Sequence, residues 1–371
     1  MPARIVRKRG EGGDEQFSVT KASLQKRFGE SAFHVASEHH QPDRIPTGIF
    51  MLDLALLGGI PHNRVSMIVG EKHAGKSTVA DKVIAGAQKQ FPDSIIVKVD
   101  VEGTHDSVWS EKLGVDLDRL FVLQPETGES AIDGTDALVR TKEVSLIVVD
   151  SIAALTPMKE IEASAEDAFM GLAARMIGSM VRKVTAGLIA ERNRDHYVTV
   201  LLLNQFRSKL GMTFGDPRSI PGGKALEYAT SVQLIIKNKE NMGKDAYEVE
   251  TPVENIHVFE VKKNKLSAGP RTGEFRLLRV DNPHYGLSEG DIEDAGTLLT
   301  YSKKFGAYTG GGRKWVLSFW DEEHVFPNEE EAKIALYADP ALYWKLRNFL
   351  ICQQAMHLGM PADFYERFYP D

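Results

Sequence analysis

A glycine-rich segment followed by a lysine and a hydroxyl residue carries the strongest chemical signal in the chain. It matches the pattern GxxxxGK[ST] with the residues Gly70, Glu71, Lys72, His73, Ala74, Gly75, Lys76 and Ser77, and Thr78, which follows directly, is a further candidate for the same site. An apolar run precedes it and a helix-length stretch follows, which is the context of a phosphate-binding loop. The glycines let backbone N–H groups point inward, and the helix start presents its positive end to phosphate. The sequence therefore predicts a nucleotide site, in which Lys76 reaches the β- and γ-phosphates and Ser77 ligates Mg²⁺.

Carboxylates end two other apolar runs and are candidates for the same site. Asp150 ends the run LIVVD, and in such a site an aspartate at this place holds Mg²⁺ through water. Glu102 and Asp100 follow the run at 95–99, and either can align the water that attacks a γ-phosphate. The residues alone do not decide between Glu102 and Asp100.

Charge and composition describe an ordinary soluble chain rather than one that coats nucleic acid by its overall charge. The net charge is -7 over 371 residues, with 42% hydrophobic residues. Residues 315–371 hold ten acidic and four basic residues, so most of the excess lies there. Any DNA contact must therefore come from local basic groups. The one cysteine, Cys352, and the lack of a secretory or membrane-spanning pattern predict a cytoplasmic protein without membrane contact.

Short Val/Ile/Leu runs alternate with helix-length stretches between Arg64 and about Val280, which indicates a mainly parallel sheet covered on both faces. The predicted strands are Val65–Val69, Ile95–Val99, Leu120–Leu123, Leu146–Val149 and Val198–Leu203, with a β extension at Val232–Ile236 and Ile256–Val261. The predicted helices are Lys21–Phe28, Ser77–Gln90, Ser130–Thr141 and Leu172–Arg192. The predicted fold is an α/β P-loop ATPase core with a short N-terminal helical element and a small α/β C-terminal domain.

Four segments, MGLAARMIGSMVRK, LIVVDSIAALTP, EKLGVDLDRLFVLQPETGE and LLLNQFRSKLGMTFG, closely resemble the bacterial RecA recombinase family. Order and spacing match from about Phe17 to Tyr308, and a viral member would look the same. Basic residues without an apolar stretch predict a flexible basic arm at 1–16, and the change to glycine-rich turns and short helices after Asn282 predicts a small C-terminal domain at 282–371. The resemblance implies an N-terminal helix and linker that docks on the next subunit (17–45) and a RecA-type ATPase core (46–281). It also implies filament formation, with ATP and Mg²⁺ bound between subunits.

The same resemblance assigns roles around the nucleotide. Glu102 matches the catalytic glutamate, which favours it over Asp100. Trp109 stands where the family stacks an aromatic ring on adenine, with Asp106 near the base. Gln205 matches the glutamine that senses the γ-phosphate. Lys263 and Lys265 match residues that reach the ATP of the neighbouring subunit.

Two segments resemble the DNA-binding loops of the family. The first, 157–171, is acidic, and Met170, Gly171 and the following Arg175 are its expected contacts. The second, 205–223, is basic and rich in glycine, which suits phosphate contact followed by ordering. Its expected contacts are Arg207, Lys209, Leu210, Phe214, Arg218, Gly222 and Gly223. Glu227 departs from the family, in which a lysine can stand there.

The function that this resemblance implies is strand exchange in homologous recombination and DNA repair. The protein would bind single-stranded DNA as a helical filament, pair it with double-stranded DNA and hydrolyse ATP in a DNA-dependent way. A ring helicase with the same core, and a filament that coats DNA without catalysis, are the alternatives. The C-terminal region scarcely resembles the family, and regulation by a long acidic tail is not supported.

Overall fold

The structure is a computed structural model, and it describes residues 11–29, 33, 41–162, 171–208, 218–244 and 250–369. The α-helices in this part of the chain are α1 (Glu11–Phe28), α2 (Phe50–Ala55), α3 (Lys76–Gln90), α4 (Ser107–Lys112), α5 (Gly128–Val139), α6 (Met158–Glu162), α7 (Leu172–Arg192), α8 (Gly223–Ala229), α9 (Ala295–Lys304), α10 (Glu329–Ala338), α11 (Pro340–His357) and α12 (Ala362–Tyr365). None of them is both long and apolar enough to cross a bilayer.

Within the described residues the strands form one large sheet and three small ones. They are β1 (Arg44–Ile45), β2 (Ile60–Pro61), β3 (Val65–Gly70), β4 (Ile95–Asp100), β5 (Leu120–Leu123), β6 (Val144–Asp150), β7 (Thr199–Gln205), β8 (Arg207–Ser208), β9 (Arg218–Ser219), β10 (Val232–Lys244), β11 (Glu250–Asn264), β12 (Thr272–Leu278), β13 (Tyr308–Gly311), β14 (Lys314–Phe319) and β15 (Glu322–Phe326).

The large sheet has eight strands in the order β12-β11-β10-β3-β7-β6-β4-β5. The pairs from β10 to β5 are parallel, and β11 and β12 are antiparallel additions. Strand alternation sends neighbouring apolar residues to opposite faces. In β6, Leu146 and Val148 join the core that contains α3, whereas Ile147 and Val149 join the core that contains α5 and α7. This arrangement confirms the predicted α/β class and the β extension.

The N-terminal helix is longer than predicted. It begins at Glu11, ten residues before the predicted start at Lys21, so residues 11–16 are helical and do not belong to a flexible arm. Residues 11–16 show no apolar periodicity, so the residue pattern did not predict a helix there. Gly29 ends the helix as predicted, with φ 98° and its N–H donated to the Gln25 carbonyl. Residues 1–10 of the predicted arm lie outside the described residues.

The C-terminal region contains a three-stranded antiparallel sheet, β13–β15, and helices α9 to α12. It packs directly on the part of the chain that contains the large sheet, because residues of α2 and α11 share one hydrophobic cluster. Within that contact Arg347 donates two hydrogen bonds to Asp53 Oδ2, at 3.1 and 2.7 Å, and the Asp53 side chain is fully buried. Thr47 donates to the other oxygen of Asp53. A buried ion pair with every lone pair satisfied fixes how the two parts meet.

Candidate active site

The carboxyl ends of the parallel strands β3, β4, β6 and β7 meet at one edge of the sheet, where ligands bind in open α/β folds. A cleft of about 490 Å³ opens there. Its walls come from the glycine-rich loop, three neighbouring strand ends and the β extension. The lining residues are Lys72, His73, Gly75, Lys76, Ser77, Thr78, Glu102, Thr104, Asp150, Gln205, Asn238, Asn255, His257 and Arg279.

The glycine-rich loop has the wrapped backbone that its sequence predicts. Gly75 has φ 90° and His73 has φ 62°, both in the left-handed region, and α3 starts at Lys76. The Lys76 ammonium donates to the Glu71 carbonyl at 2.8 Å, so the loop holds its own lysine over the turn. Burial lowers the pKa of Lys76, and the nearby carboxylates of Asp150 and Glu102 oppose that shift. The loop thus presents a desolvated cation at the start of a helix, which suits a phosphate group.

Ser77 and Asp150 lie in contact at the floor of the cleft. The Ser77 hydroxyl donates to Asp150 Oδ2 at 2.8 Å. Burial raises the pKa of Asp150, while the charge of Lys98 and the Ser77 hydroxyl oppose that rise. A hydroxyl and a carboxylate with room for water beside them are the oxygen ligands that Mg²⁺ prefers. The donor set therefore fits the predicted metal.

Glu102 and Asp100 have different surroundings in the structure. Asp100 is buried and accepts hydrogen bonds from the backbone of Thr104 and His105 and from the Gln124 amide. It is therefore occupied in holding the loop that follows β4. Glu102 is exposed in the cleft, where its Oε1 accepts from the Gln205 amide at 2.7 Å and from the Ser151 hydroxyl. Of the two carboxylates, Glu102 is the one that lines the cleft.

Trp109 is in α4 and lies beside α3, the helix that follows the glycine-rich loop. Its indole N–H donates to the Thr78 hydroxyl at 3.3 Å, and the guanidinium of Arg279 lies 4.4 Å from the centre of its ring. Asp106 caps α4 by accepting from the Trp109 backbone N–H. Asp106 thus has a structural role that the sequence did not reveal, and Arg279, which is distant in sequence, is a cleft residue that the sequence analysis missed.

His257 is a second missed residue, and it lies directly under the glycine-rich loop. Its Nδ1 is 3.2 Å from the Ala74 carbonyl oxygen, and its ring stacks on Phe275 at 4.9 Å. A Cβ added to Gly75 would lie 2.3 Å from His257 Cε1. Burial lowers the pKa of His257 to about 4, so the ring is neutral near pH 7. The ring of His257, in β11, therefore supports the glycine-rich loop and fixes its position relative to the sheet.

Lys263 and Lys265 lie at the opposite edge of the sheet from the cleft. Lys263 is opposite Gln233, near the start of β10, and this end of β10 lies beside Ser66 at the start of β3. The cleft is at the other end of these strands, where Ile236 pairs with Gly70. Their ammonium groups donate to the carbonyls of Glu227 and Tyr228 in α8. Burial and the neighbouring Lys265 lower the pKa of Lys263. Neither lysine lines the cleft of its own subunit.

Comparison with known proteins agrees with this geometry. The family model described as RecA N-terminal domain matches residues 16–281. The protein named Protein RecA of Mycobacteroides abscessus is 36% identical over 336 residues, which cover 86% of this chain and 92% of that protein. Protein RecA of Symbiobacterium thermophilum is 39% identical over 283 residues, covering 75% of this chain and 77% of that protein. Protein RecA of Marinobacter nauticus is 37% identical, covering 84% and 89%.

The chain belongs to the RecA family. This membership supports a strand-exchange protein of homologous recombination, and it favours neither the ring helicase nor the passive coating filament. As a member of the RecA family the chain has a nucleotide-binding core.

The segments expected to contact DNA in this RecA-family protein are described only in part. Met170, Lys209, Leu210 and Phe214 lie outside the described residues. Gly171 precedes α7 with φ 80°, and Arg175 is exposed in the first turn of that helix. Arg207 is exposed in β8, where it donates to the Ala153 carbonyl at 3.0 Å, and β8 pairs with β9, which contains Arg218.

The helices that follow the two segments pack against each other. Gly222 has φ 101° and precedes α8, which begins at Gly223. A Cβ added to Gly222 would lie 2.8 Å from Ile177 Cγ2 in α7. The end of the second segment therefore lies against the helix that follows the first segment. Asn204, buried next to Gln205, donates to the Pro221 carbonyl at 3.0 Å and so joins the end of β7 to the start of α8.

Proposed function

We propose that this RecA-family protein is a DNA-dependent ATPase that assembles on single-stranded DNA with ATP and Mg²⁺ and pairs that strand with a homologous duplex. The observation that carries the proposal is the 2.7 Å hydrogen bond between the Gln205 amide and Glu102. It joins the residue placed to align water with the residue that ends β7, two positions before Arg207 in the second expected DNA segment.

The nucleotide half of the proposal rests on the loop and the two strand ends beside it. Lys76 would exchange its bond to the Glu71 carbonyl for one to phosphate, and backbone N–H groups of the loop would hold the remaining oxygens. Mg²⁺, held by Ser77 and Asp150, would neutralise charge on the phosphates. Glu102 is exposed in the cleft and would align and accept a proton from the attacking water.

The DNA half rests on the position of Gln205. Its amide donates to Glu102 and its backbone N–H donates to the Asn204 side chain, which in turn holds Pro221. A γ-phosphate in the cleft would compete for the Gln205 amide. A shift there would be transmitted to both ends of the second DNA segment, which is a switching arrangement of the ordered-loop kind.

Assembly is supported by two features on the surface of the subunit. Strand β5 forms an edge of the large sheet and exposes Phe121 and Val122, and an exposed apolar edge can pair with another chain. Lys263 and Lys265 do not line the cleft of their own subunit. Both features fit a head-to-tail interface that does not close and in which each nucleotide is shared by two subunits.

ATP hydrolysis and strand exchange, measured with and without single-stranded DNA, test the proposal. We expect DNA to stimulate hydrolysis in the wild-type protein, strand exchange to require ATP, and Lys76→Ala to lose both activities. Normal DNA-stimulated hydrolysis by Lys76→Ala, or equally good strand exchange without nucleotide, would contradict the proposal.

A further inference from the structure

Lys98 is a charged side chain inside the core. It interrupts the apolar run of β4 and its side chain is 2% exposed. Burying an ammonium costs several kcal/mol unless it is paired and hydrogen-bonded. Its Nζ lies 3.3 Å from Asp81 Oδ1, 3.7 Å from Asp150 Oδ2 and 3.4 Å from His105 Nδ1. One lysine thus serves two carboxylates, one of which is the metal-site carboxylate of the proposed function.

The partner carboxylate, Asp81, continues the network into a third element. It lies in α3 one turn beyond Ser77 and is 3% exposed. Its second oxygen accepts from the Ser110 hydroxyl in α4 at 2.7 Å, and Ser110 is fully buried. The Ser110 hydroxyl therefore holds Asp81, and Asp81 holds Lys98. The position of Lys98 relative to Asp150 is thus fixed by the core.

We propose that Lys98 tunes the metal site electrostatically: its positive charge, 3.7 Å from Asp150, opposes the entry of Mg²⁺ into the site without nucleotide. The inference rests on the proposed function, because it takes Asp150 as a metal-site residue. A divalent cation beside a buried ammonium meets repulsion. Nucleotide phosphates bring negative charges that offset Lys98, so the metal is expected to enter with the nucleotide rather than before it.

Removing Lys98 alone would leave Asp81 as an unpaired buried charge and would endanger folding. The test therefore uses the double substitution Lys98→Leu with Asp81→Leu, which replaces the ion pair by apolar side chains. A second pair, Lys98→Gln with Asp81→Asn, removes both charges and keeps hydrogen-bonding groups. Ser110→Ala is the matched control, because it cuts the same network without changing a charge near Asp150.

Calorimetric titration of each protein with ADP at a series of Mg²⁺ concentrations gives two quantities. The first is the ADP affinity without metal. The second is the half-effect concentration, which is the Mg²⁺ concentration that produces half of the full change in ADP affinity. We expect the half-effect concentration to fall about fivefold in the charge-free variants, while Ser110→Ala matches the wild type. ADP affinity without Mg²⁺ should change little, since the glycine-rich loop is intact.

An unchanged or higher half-effect concentration in a folded charge-free variant overturns the role of Lys98, as does an equal shift in Ser110→Ala. Failure of the wild type to bind ADP at all would instead overturn the proposed nucleotide site. The two failures are thus distinguishable in one set of titrations.

Discussion

At the scale of single residues, the strand end after β4 separates a catalytic candidate from a structural one. Glu102→Gln keeps the size of the side chain but removes the base, so hydrolysis should fall about 10²- to 10⁴-fold with nucleotide binding retained. Asp100→Asn should instead cost about 1–3 kcal/mol of unfolding free energy, because three donors point at its buried carboxylate. ATPase rates and denaturant unfolding of both variants check the assignment, and a larger catalytic loss in Asp100→Asn would reverse it.

The residues of the cleft differ in how well the sequence predicts them. The spacing of residues alone predicts the glycine-rich loop and Asp150, because the residues that define each of them lie within one short segment. Lys98, His257 and Arg279 do not, because each meets its partner only after distant segments have folded together. Lys98 lies between apolar residues in β4, and nothing in the neighbouring sequence indicates that the carboxylates of Asp81 and Asp150 lie beside it in the fold.

At the scale of elements, the turn between β3 and α3 depends on glycine for two reasons. Gly75 has φ 90°, and a Cβ there would meet His257. Gly223, with φ 62° and nothing within 4 Å of an added Cβ, has only the first of these constraints. Gly75→Ala should therefore destabilise the protein more than Gly223→Ala, by about 1–3 kcal/mol, and should weaken ADP binding.

Thermal or denaturant unfolding of both alanine variants measures the difference, and adding His257→Ala to Gly75→Ala should recover part of the loss. Equal destabilisation by the two single variants would show that the histidine does not constrain the loop.

The elements themselves follow the sequence where apolar periodicity is strong. Helix α7 has the predicted bounds, and α3 differs by one residue at its start. Strands β10 and β11 extend well beyond the predicted runs, since antiparallel pairing of polar residues continues the ladder where hydrophobicity has stopped. Helix α1 was the poorest prediction, because its first turns contain two glycines and no apolar stripe.

At the scale of the whole molecule, the junction between the core and the C-terminal region predicts a pH effect on stability. Asp294 accepts from the Phe50 backbone N–H at 3.0 Å and from the Tyr343 hydroxyl. Burial raises the pKa of Asp294 from 3.8 to about 7. The folded protein thus keeps a proton that the unfolded chain has lost between these values. Its stabilising contribution is complete below pH 3.8 and is lost as the pH rises through about 7.

Asp294→Asn mimics the protonated form, so the stability of this variant should not show the fall that the ionisation of Asp294 causes in the wild type as the pH rises. Relative to the variant, the Tm of the wild type should fall by several degrees between about pH 5 and pH 8. Calorimetry across this range measures the difference, with the exposed Asp321→Asn as a control that should track the wild type. Parallel curves for the wild type and Asp294→Asn would show that the carboxyl is ionised in the fold throughout.

The proposed sharing of each nucleotide between subunits gives a prediction that no single-subunit mechanism makes. A variant with Lys263→Ala and Lys265→Ala keeps its own glycine-rich loop, and Lys76→Ala keeps its own lysine pair. Each alone should lack DNA-stimulated hydrolysis, whereas a mixture places some intact loops against intact lysines and should recover activity. Because only one of the two kinds of mixed interface is complete, recovery should reach about a quarter of the wild-type rate for random equal mixing. Lys262→Ala, an exposed neighbour in the same strand, is the control and should hydrolyse ATP normally by itself. No recovery in the mixture, with both variants shown to co-assemble, would mean that the lysine pair does not act on a neighbour's nucleotide.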